Sequence, residues 1–226
     1  MMKKLWLIWK DPKERRRYKV GILEKNKDSY SFKYVDPELN LARKAGFDYY
    51  PGFEDTNKIY KNKELFFNIE NRLPNKKRPD YLDILNAYNL EFDSDSMTIL
   101  KATKGRLITD TYEFVEPFDT RKISFDIAGT RHCKDIEKCK NDMVVNDKLS
   151  LELEPNNISD PFAIKVILEK NGKKYHIGYV PRYYSKDLTE LLNSGTEYSA
   201  LVQSLNFESV YNDEDVCAYV KLIFKD

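Results

Sequence analysis

The feature that most restricts how this chain can fold is a series of short apolar runs in its second half, each bounded by turn-forming residues. "KISFDIAGT", "DKLSLELE", "FAIKVILEK", "KKYHIGYVP", "TEYSALVQSLNF" and "VCAYVKLIFK" follow one another from Lys122 to Lys225. Alternating apolar and polar residues rich in Val, Ile, Phe and Tyr mark strands that bury one face. One helical pattern, Tyr184 to Leu192, interrupts them. Five or six short strands with a single helix in about a hundred residues predict a small closed or nearly closed β-barrel.

Between two of these runs lies "LELEPNNISDPFAIKV", Leu151 to Val166. A plain hairpin needs only two turn residues, yet Pro155, Asn156, Asn157, Asp160 and Pro161 all stand here. Two readings are open. The Asn and Asp side chains satisfy the backbone of their own turn, as such residues often do, or they present polar groups to a ligand.

The first half is patterned differently. Strands are predicted at Leu5–Lys10, Tyr18–Leu23 and Ser29–Val35, forming a small antiparallel meander, followed by an irregular section from Asp36 to Asn62. Leu65, Phe66, Ile69 and Leu73 then share one helix face before Pro74. Tyr81, Leu82, Leu85 and Tyr88 mark a second helix, with Pro79 near its start. "DSMTILKATKG" reads as a third, with Asp95 or Ser94 as its cap and Gly105 as its stop. A proline and several charges in "FVEPFDTRK", Phe114–Lys122, set the boundary. The expectation is therefore an α+β chain: a small mixed sheet-and-helix domain over 1–118, then a β-barrel domain with one helix over 121–226.

Composition narrows the classes of function. With 33% charged and 41% apolar residues among 226, the chain reads as soluble and globular. No run approaches the roughly 18 apolar residues of a membrane span, and charges follow the short apolar patch of "MMKKLWLIWKD" at once, which argues against a signal peptide. Three cysteines do not make a disulfide scaffold, so a cytoplasmic location is expected. Residues 1–118 carry 23 Lys+Arg against 19 Asp+Glu, leaving 15 against 18 for the rest. Neither half is a broad polybasic surface, and nucleic-acid contact would have to be local.

Enzyme signatures are lacking. There is no Gly-x-Gly-x-x-Gly, Walker A, His-Glu-x-x-His or Gly-x-Ser-x-Gly, and only His132 and His176 could serve a histidine-based triad. His132, Cys133, Cys139 and Cys217 are disfavoured as zinc ligands because the Cys133–Cys139 spacing is not that of a structural site. No cofactor is expected. "KERRR" and the Arg72, Lys76, Lys77 and Arg78 group read as solvated loops, with phosphate binding as the second reading for the first and a phosphate or partner site for the second. Tyr49, Tyr50, Phe53 and Tyr60 read as core, with a partner surface second. Asp213, Glu214 and Asp215 read as a solvated turn rather than a nuclease carboxylate cluster.

Three pieces in register carry a family resemblance: "FDIAGTRHC", the Leu-x-Leu…Asn-x-x-Asp-x-x-Ala-Ile-x-Val core of the loop, and "IGYVPR" leading to a helix. Together, over residues 121–226, they resemble the HIRAN domain. That resemblance implies an OB-like barrel that binds the 3′ end of single-stranded DNA. It nominates Arg131 and His132 after the first strand, Asn156, Asn157 and Asp160 in the loop, and Tyr179 and Arg182 after the Ile-Gly step. In such a site the aspartate accepts from a terminal hydroxyl, the asparagines read base edges, a ring stacks on a base and arginine pairs with phosphate. The sequence departs from the pattern where His132 and Ser159 replace aromatic residues.

In the first half, "YKVGILEKNKDSYSFKY", "GFDYYPGF", "ELFFNIENRLPNKKRPDYLDIL" and "DSMTILKATKGRLITDTYEFVEP" resemble the N-terminal subdomain of HipA-type kinases, which carries no catalytic residues. The expectation is a non-catalytic adaptor whose barrel recognises DNA ends and whose first domain docks a partner, in repair, phage defence or counter-defence. The alternative is an antitoxin-like regulatory subunit of a HipA-type kinase.

Overall fold

The computed structural model describes residues 3–88, 90–206 and 217–225. The chain falls into two compact units, Met1–Pro117 and Phe118–Asp226.

In the first unit the strands are β1 (Lys3–Lys10), β2 (Arg17–Lys25) and β3 (Tyr30–Tyr34), followed by helix α1 (Glu38–Lys44) and the short strand β4 (Tyr60–Asn62). Helices α2 (Phe67–Glu70), α3 (Tyr81–Ala87) and α4 (Ser96–Thr103) precede strand β5 (Tyr112–Val115). The sheet runs β4-β3-β2-β1-β5 and every pairing is antiparallel. The predicted meander is present, extended at each edge by a strand the sequence reading lacked. The section from Asp36 to Asn62, expected to be irregular, holds α1 and β4. The helix read across Leu65–Leu73 shrinks to the single turn of α2.

Every residue from Leu5 to Trp9 is buried, so β1 shows a continuous apolar run instead of alternation. Leu7, Val20, Phe32, Ile69, Leu100 and Phe114 belong to the same core. Tyr50 and Phe53 join it, whereas Tyr49 lies 39% exposed, which divides the aromatic cluster. The Tyr34 hydroxyl donates to the Phe53 carbonyl and accepts from the Tyr50 N–H, each at 2.7 Å. Asp95 caps α4 by accepting from Met97 N–H at 3.1 Å, and the helix ends on Lys104 at φ 56°, one residue before the expected Gly105.

Two arginines read as loop charges are held by partners of the fold, one of them buried. Arg72 is buried, donates to the Tyr50 hydroxyl at 2.6 Å and the Gly105 carbonyl at 2.7 Å, and pairs with Asp110. Arg17, the last of "KERRR", lies 3.2 Å from buried Glu113, which Arg106 also approaches to 2.6 Å. Only Lys76, Lys77 and Arg78 keep the exposed character expected of their group.

The second unit opens with β6 (Lys122–Asp126), a 3-10 turn at Thr130–His132, the short helix α5 (Ile136–Cys139) and another 3-10 turn at Lys140–Asp142. Strands β7 (Lys148–Leu153), β8 (Ile164–Lys170) and β9 (Lys173–Tyr179) follow, then helix α6 (Arg182–Asn193) and strands β10 (Tyr198–Asn206) and β11 (Cys217–Phe224). The antiparallel sheet runs β6-β11-β10-β7-β8-β9. These ladders do not close into the expected barrel, because β6 and β9 are edges. A lone antiparallel bridge, Ala128 with Tyr179, joins the continuation of β6 to the end of β9. Helix α6 covers the sheet with Tyr184 and Leu188, near Phe125. Asp213, Glu214 and Asp215 lie outside the described residues. Among the described residues no helix is long and apolar enough to cross a membrane.

Candidate functional site

The connection from β7 to β8 is a braced loop. Glu154 N–H donates to the Ala163 carbonyl at 2.8 Å, closing its base. Asn157 Oδ1 accepts from the N–H groups of Ser159 (2.9 Å) and Asp160 (3.1 Å), while its Nδ2 donates to Glu154 Oε2 at 2.6 Å. Asp160 Oδ1 accepts from Phe162 N–H at 2.9 Å. The turn-holding reading of the loop applies to two of its residues. Asn157 and Asp160 hold their own turn, as Asx residues do. The Asn156 side chain is exposed and makes no hydrogen bond among the described residues.

Helix α6 is tied to this loop. The Ser185 hydroxyl lies 2.8 Å from Asp160 Oδ2 and 2.9 Å from the Arg182 carbonyl. A hydroxyl has one proton, and the carboxylate is its stronger acceptor. Thr189 donates to the Phe162 carbonyl at 3.3 Å, and Arg182 Nη1 reaches the Ser159 carbonyl at 3.4 Å. Each oxygen of Asp160 thus has one hydrogen bond and, with two lone pairs, room for another.

The ring of Tyr179 forms the other wall. Its hydroxyl donates to Glu154 Oε2 at 3.1 Å. Burial first, and then this bond to a carboxylate, raise the Tyr179 pKa to about 12. Lys165 Nζ sits 2.6 Å from Glu154 Oε1. Burial pushes the Glu154 pKa up, but the hydrogen bonds from Lys165, Asn157 and Tyr179 together outweigh it, so the net shift is downward. The carboxylate stays charged with its charge matched.

Two glycines make the ring's position attainable. Gly178 has φ 147°, where the β8–β9 register shifts, and a Cβ there would stand 2.2 Å from Ile127 Cγ2 and 2.7 Å from the Ala128 carbonyl oxygen. Only glycine fits such a position. Gly129, at φ 70°, lies against the ring: its Cβ would be 3.5 Å from Tyr179 Cδ2. On the remaining side His176 meets Tyr179 edge-on, with centroids 4.7 Å apart at 88°. His176 Nε2 is 3.0 Å from the Gly178 carbonyl, which assigns the proton to that nitrogen. Burial lowers the His176 pKa, so the ring is neutral near pH 7.

Of the nominated residues, Asn157, Asp160, Tyr179 and Arg182 belong to one hydrogen-bonded cluster joined through Glu154 and Ser185, with Asn156 on the same loop. His132 is exposed on the 3-10 turn after Gly129, beside Arg131, whose side chain is outside the described set. Sequence reasoning missed Glu154 and Ser185. Ser185 had a signal, because it follows Arg182 by three residues and so shares its helix face. Glu154 had only its place at the end of an alternating strand.

Among the described residues no group of three or more His, Cys, Asp or Glu could hold a metal ion. Cys133 and Cys139 are buried free thiols, and Cys133 Sγ lies 3.7 Å from His176 Nε2. The Cys217 side chain lies outside the described set.

Residues 121–220 match the family model of the HIRAN domain. The second unit therefore carries a HIRAN domain, and the loop, ring and helix described above all lie within it. Two solved structures resemble this HIRAN unit. One is the HIRAN domain of human HLTF, at 16% identity over 46% of this chain and 75% of that one, with a TM-score of 0.36. The other is a protein from Lactobacillus plantarum, at 20% identity over 46% of this chain and 92% of that one, with a TM-score of 0.35. No curated protein matches the chain. The family match begins at residue 121, so the likeness of the first unit to the HipA subdomain rests on its sequence motifs alone.

Proposed function

We propose that the HIRAN unit binds the 3′ end of single-stranded DNA and that the chain is a non-catalytic adaptor. One observation supports this most directly: Asn157, Asp160, Tyr179 and Arg182 form a single hydrogen-bonded cluster inside the matched segment. Asp160 is the acceptor for the terminal hydroxyl, using the lone pairs left by Phe162 and Ser185. Asn156 reads a base edge with its unoccupied amide. Arg182 and Arg131 pair with phosphates, and His132 and Tyr179 flank the nucleotide. An OB-like, barrel-like wrapping of the strands belongs to this reading.

The first unit docks a protein partner. The sequence motifs of this unit that resemble the HipA N-terminal subdomain support this. A HipA-type kinase is the alternative partner, which would make the chain its regulatory subunit.

Fluorescence anisotropy with short oligonucleotides ending in a free 3′ hydroxyl, a 3′ phosphate or a blunt duplex tests the DNA reading. Binding of the free 3′ hydroxyl that is lost on 3′ phosphorylation and in Asp160→Ala is the expected result. Equal binding of all three ends, or none, overturns it.

A further inference from the structure

Ile158 is the most exposed large apolar residue described, at 102% relative exposure; the next, Phe67 and Ile108, reach 72% and 71%. Single exposed apolar residues are ordinary on protein surfaces and need no explanation. What sets Ile158 apart is its mounting. Asn157 on one side accepts from Ser159 and Asp160 and donates to Glu154. Asp160 on the other is bonded to Phe162 and, across to α6, to Ser185. The backbone carrying Ile158 is thus ordered by its neighbours, and the entropy cost of presenting the side chain is met before any ligand arrives.

The neighbours of Ile158 complete a pattern. Asn156, two residues before it, has an exposed amide. The Arg182 guanidinium lies 3.4 Å from the carbonyl of Ser159, the residue after it. An amide, an apolar branch and a cation, carried by one loop and the helix tied to it, are the kinds of group that meet a base edge, a base face and a phosphate. Tyr179, with Gly129 against its ring and His176 meeting it edge-on, offers only part of a stacking surface, which Ile158 extends along the loop.

We propose that Ile158 is the surface on which the terminal base of a bound single strand rests. This inference depends on the strand-end reading of the loop. An apolar contact to a base face gains affinity without a charge term, so Ile158 adjusts how tightly the end is held but not how binding responds to salt.

The test measures binding of wild type, Ile158→Ala and Ile158→Trp to two oligonucleotides at two salt concentrations. One oligonucleotide ends in a complete 3′ nucleotide, the other in an abasic 3′ nucleotide that keeps the sugar and its hydroxyl. Ile158→Ala is expected to bind the complete end about five- to tenfold more weakly, and Ile158→Trp more tightly than wild type, since aromatic stacking on a base is the stronger contact. On the abasic end the three proteins converge, and the salt dependence is the same for all. Urea midpoints equal to wild type, expected for so exposed a position, show that the fold is unchanged. If wild type binds the complete end and Ile158→Ala binds it equally well, or loses as much on the abasic end, the role of Ile158 is overturned while end binding stands. If wild type binds neither oligonucleotide, both fall.

Discussion

The Tyr179 hydroxyl donates to Glu154 Oε2 at 3.1 Å, so the ring closing β9 and the loop leaving β7 move as one hydrogen-bonded piece. Glu154 also receives Asn157 and Lys165, so three side chains converge on a single carboxylate.

Tyr179→Phe keeps the ring and removes this one donor. Losing a hydrogen bond to a charged, partly buried acceptor costs about 1–2 kcal/mol, read as a lower urea midpoint. Oligonucleotide binding is expected to weaken less than in Tyr179→Ala, which also removes the ring. Equal losses for the two variants would show that the hydroxyl, not the ring, matters for the ligand.

Asp160 and Ser185 form the tie between loop and helix, at 2.8 Å. A double-mutant cycle of Asp160→Asn and Ser185→Ala is expected to give a coupling of about 1 kcal/mol in stability. Ser185→Ala alone should leave the 3′-hydroxyl preference in place while weakening binding a few-fold, because it loosens Asp160 without removing it. Additive effects on stability would mean that the bond does not form in solution.

Gly178→Ala is predicted to be the most damaging small substitution in the HIRAN unit. The new Cβ would stand 2.2 Å from Ile127 Cγ2 and 2.7 Å from a backbone oxygen, at φ 147°. A loss of about 3 kcal/mol or more is expected in chemical denaturation. Gly129→Ala serves as the contrast: its Cβ meets Tyr179 at an ordinary 3.5 Å, leaving mainly the strain of φ 70°, about 1–2 kcal/mol.

Acid stability should depend on Glu113. Burial raises its pKa, but Arg106, Arg17 and Lys104 outweigh burial and lower it from 4.5 to about 2. A depressed carboxylate pKa stabilises the folded state fully above the unfolded value and loses that contribution as pH falls towards the folded one. The first unit is therefore expected to lose on the order of 3 kcal/mol between about pH 4.5 and pH 2. Thermal melts of wild type and Glu113→Gln across that range check this. The variant should be less stable at pH 7, by about 3–5 kcal/mol, because two arginines lose their counter-charge, and should lack that part of the acid slope.

Much of this architecture was legible because strand periodicity is a local property. β1, β2 and β3 were marked by their own residues, as were the strands of the HIRAN unit and the Asp95 cap. What escaped depends on partners distant in sequence. β4 is three residues long, too short to show a period, and exists because β3 offers it an edge. Arg72 looked like one of four loop cations, yet Tyr50, Gly105 and Asp110 make it interior. The loop residues of the site stood out as turn formers. Their division of labour did not, since Asn156 and Asn157 differ only in what surrounds them.

The bridge between Ala128 and Tyr179 consists of two backbone hydrogen bonds of 2.8 Å, and it lies where the flanks of β6 and β9 would otherwise end unpaired. An unpaired flank is a template on which a second chain can add a strand. Here each flank latches the other, and the latch shares its residue with the ring proposed to meet the nucleotide. A strand end seated on Tyr179 would hold that latch shut, slowing hydrogen exchange at the Ala128 and Tyr179 amides and shielding the two flanks from self-association.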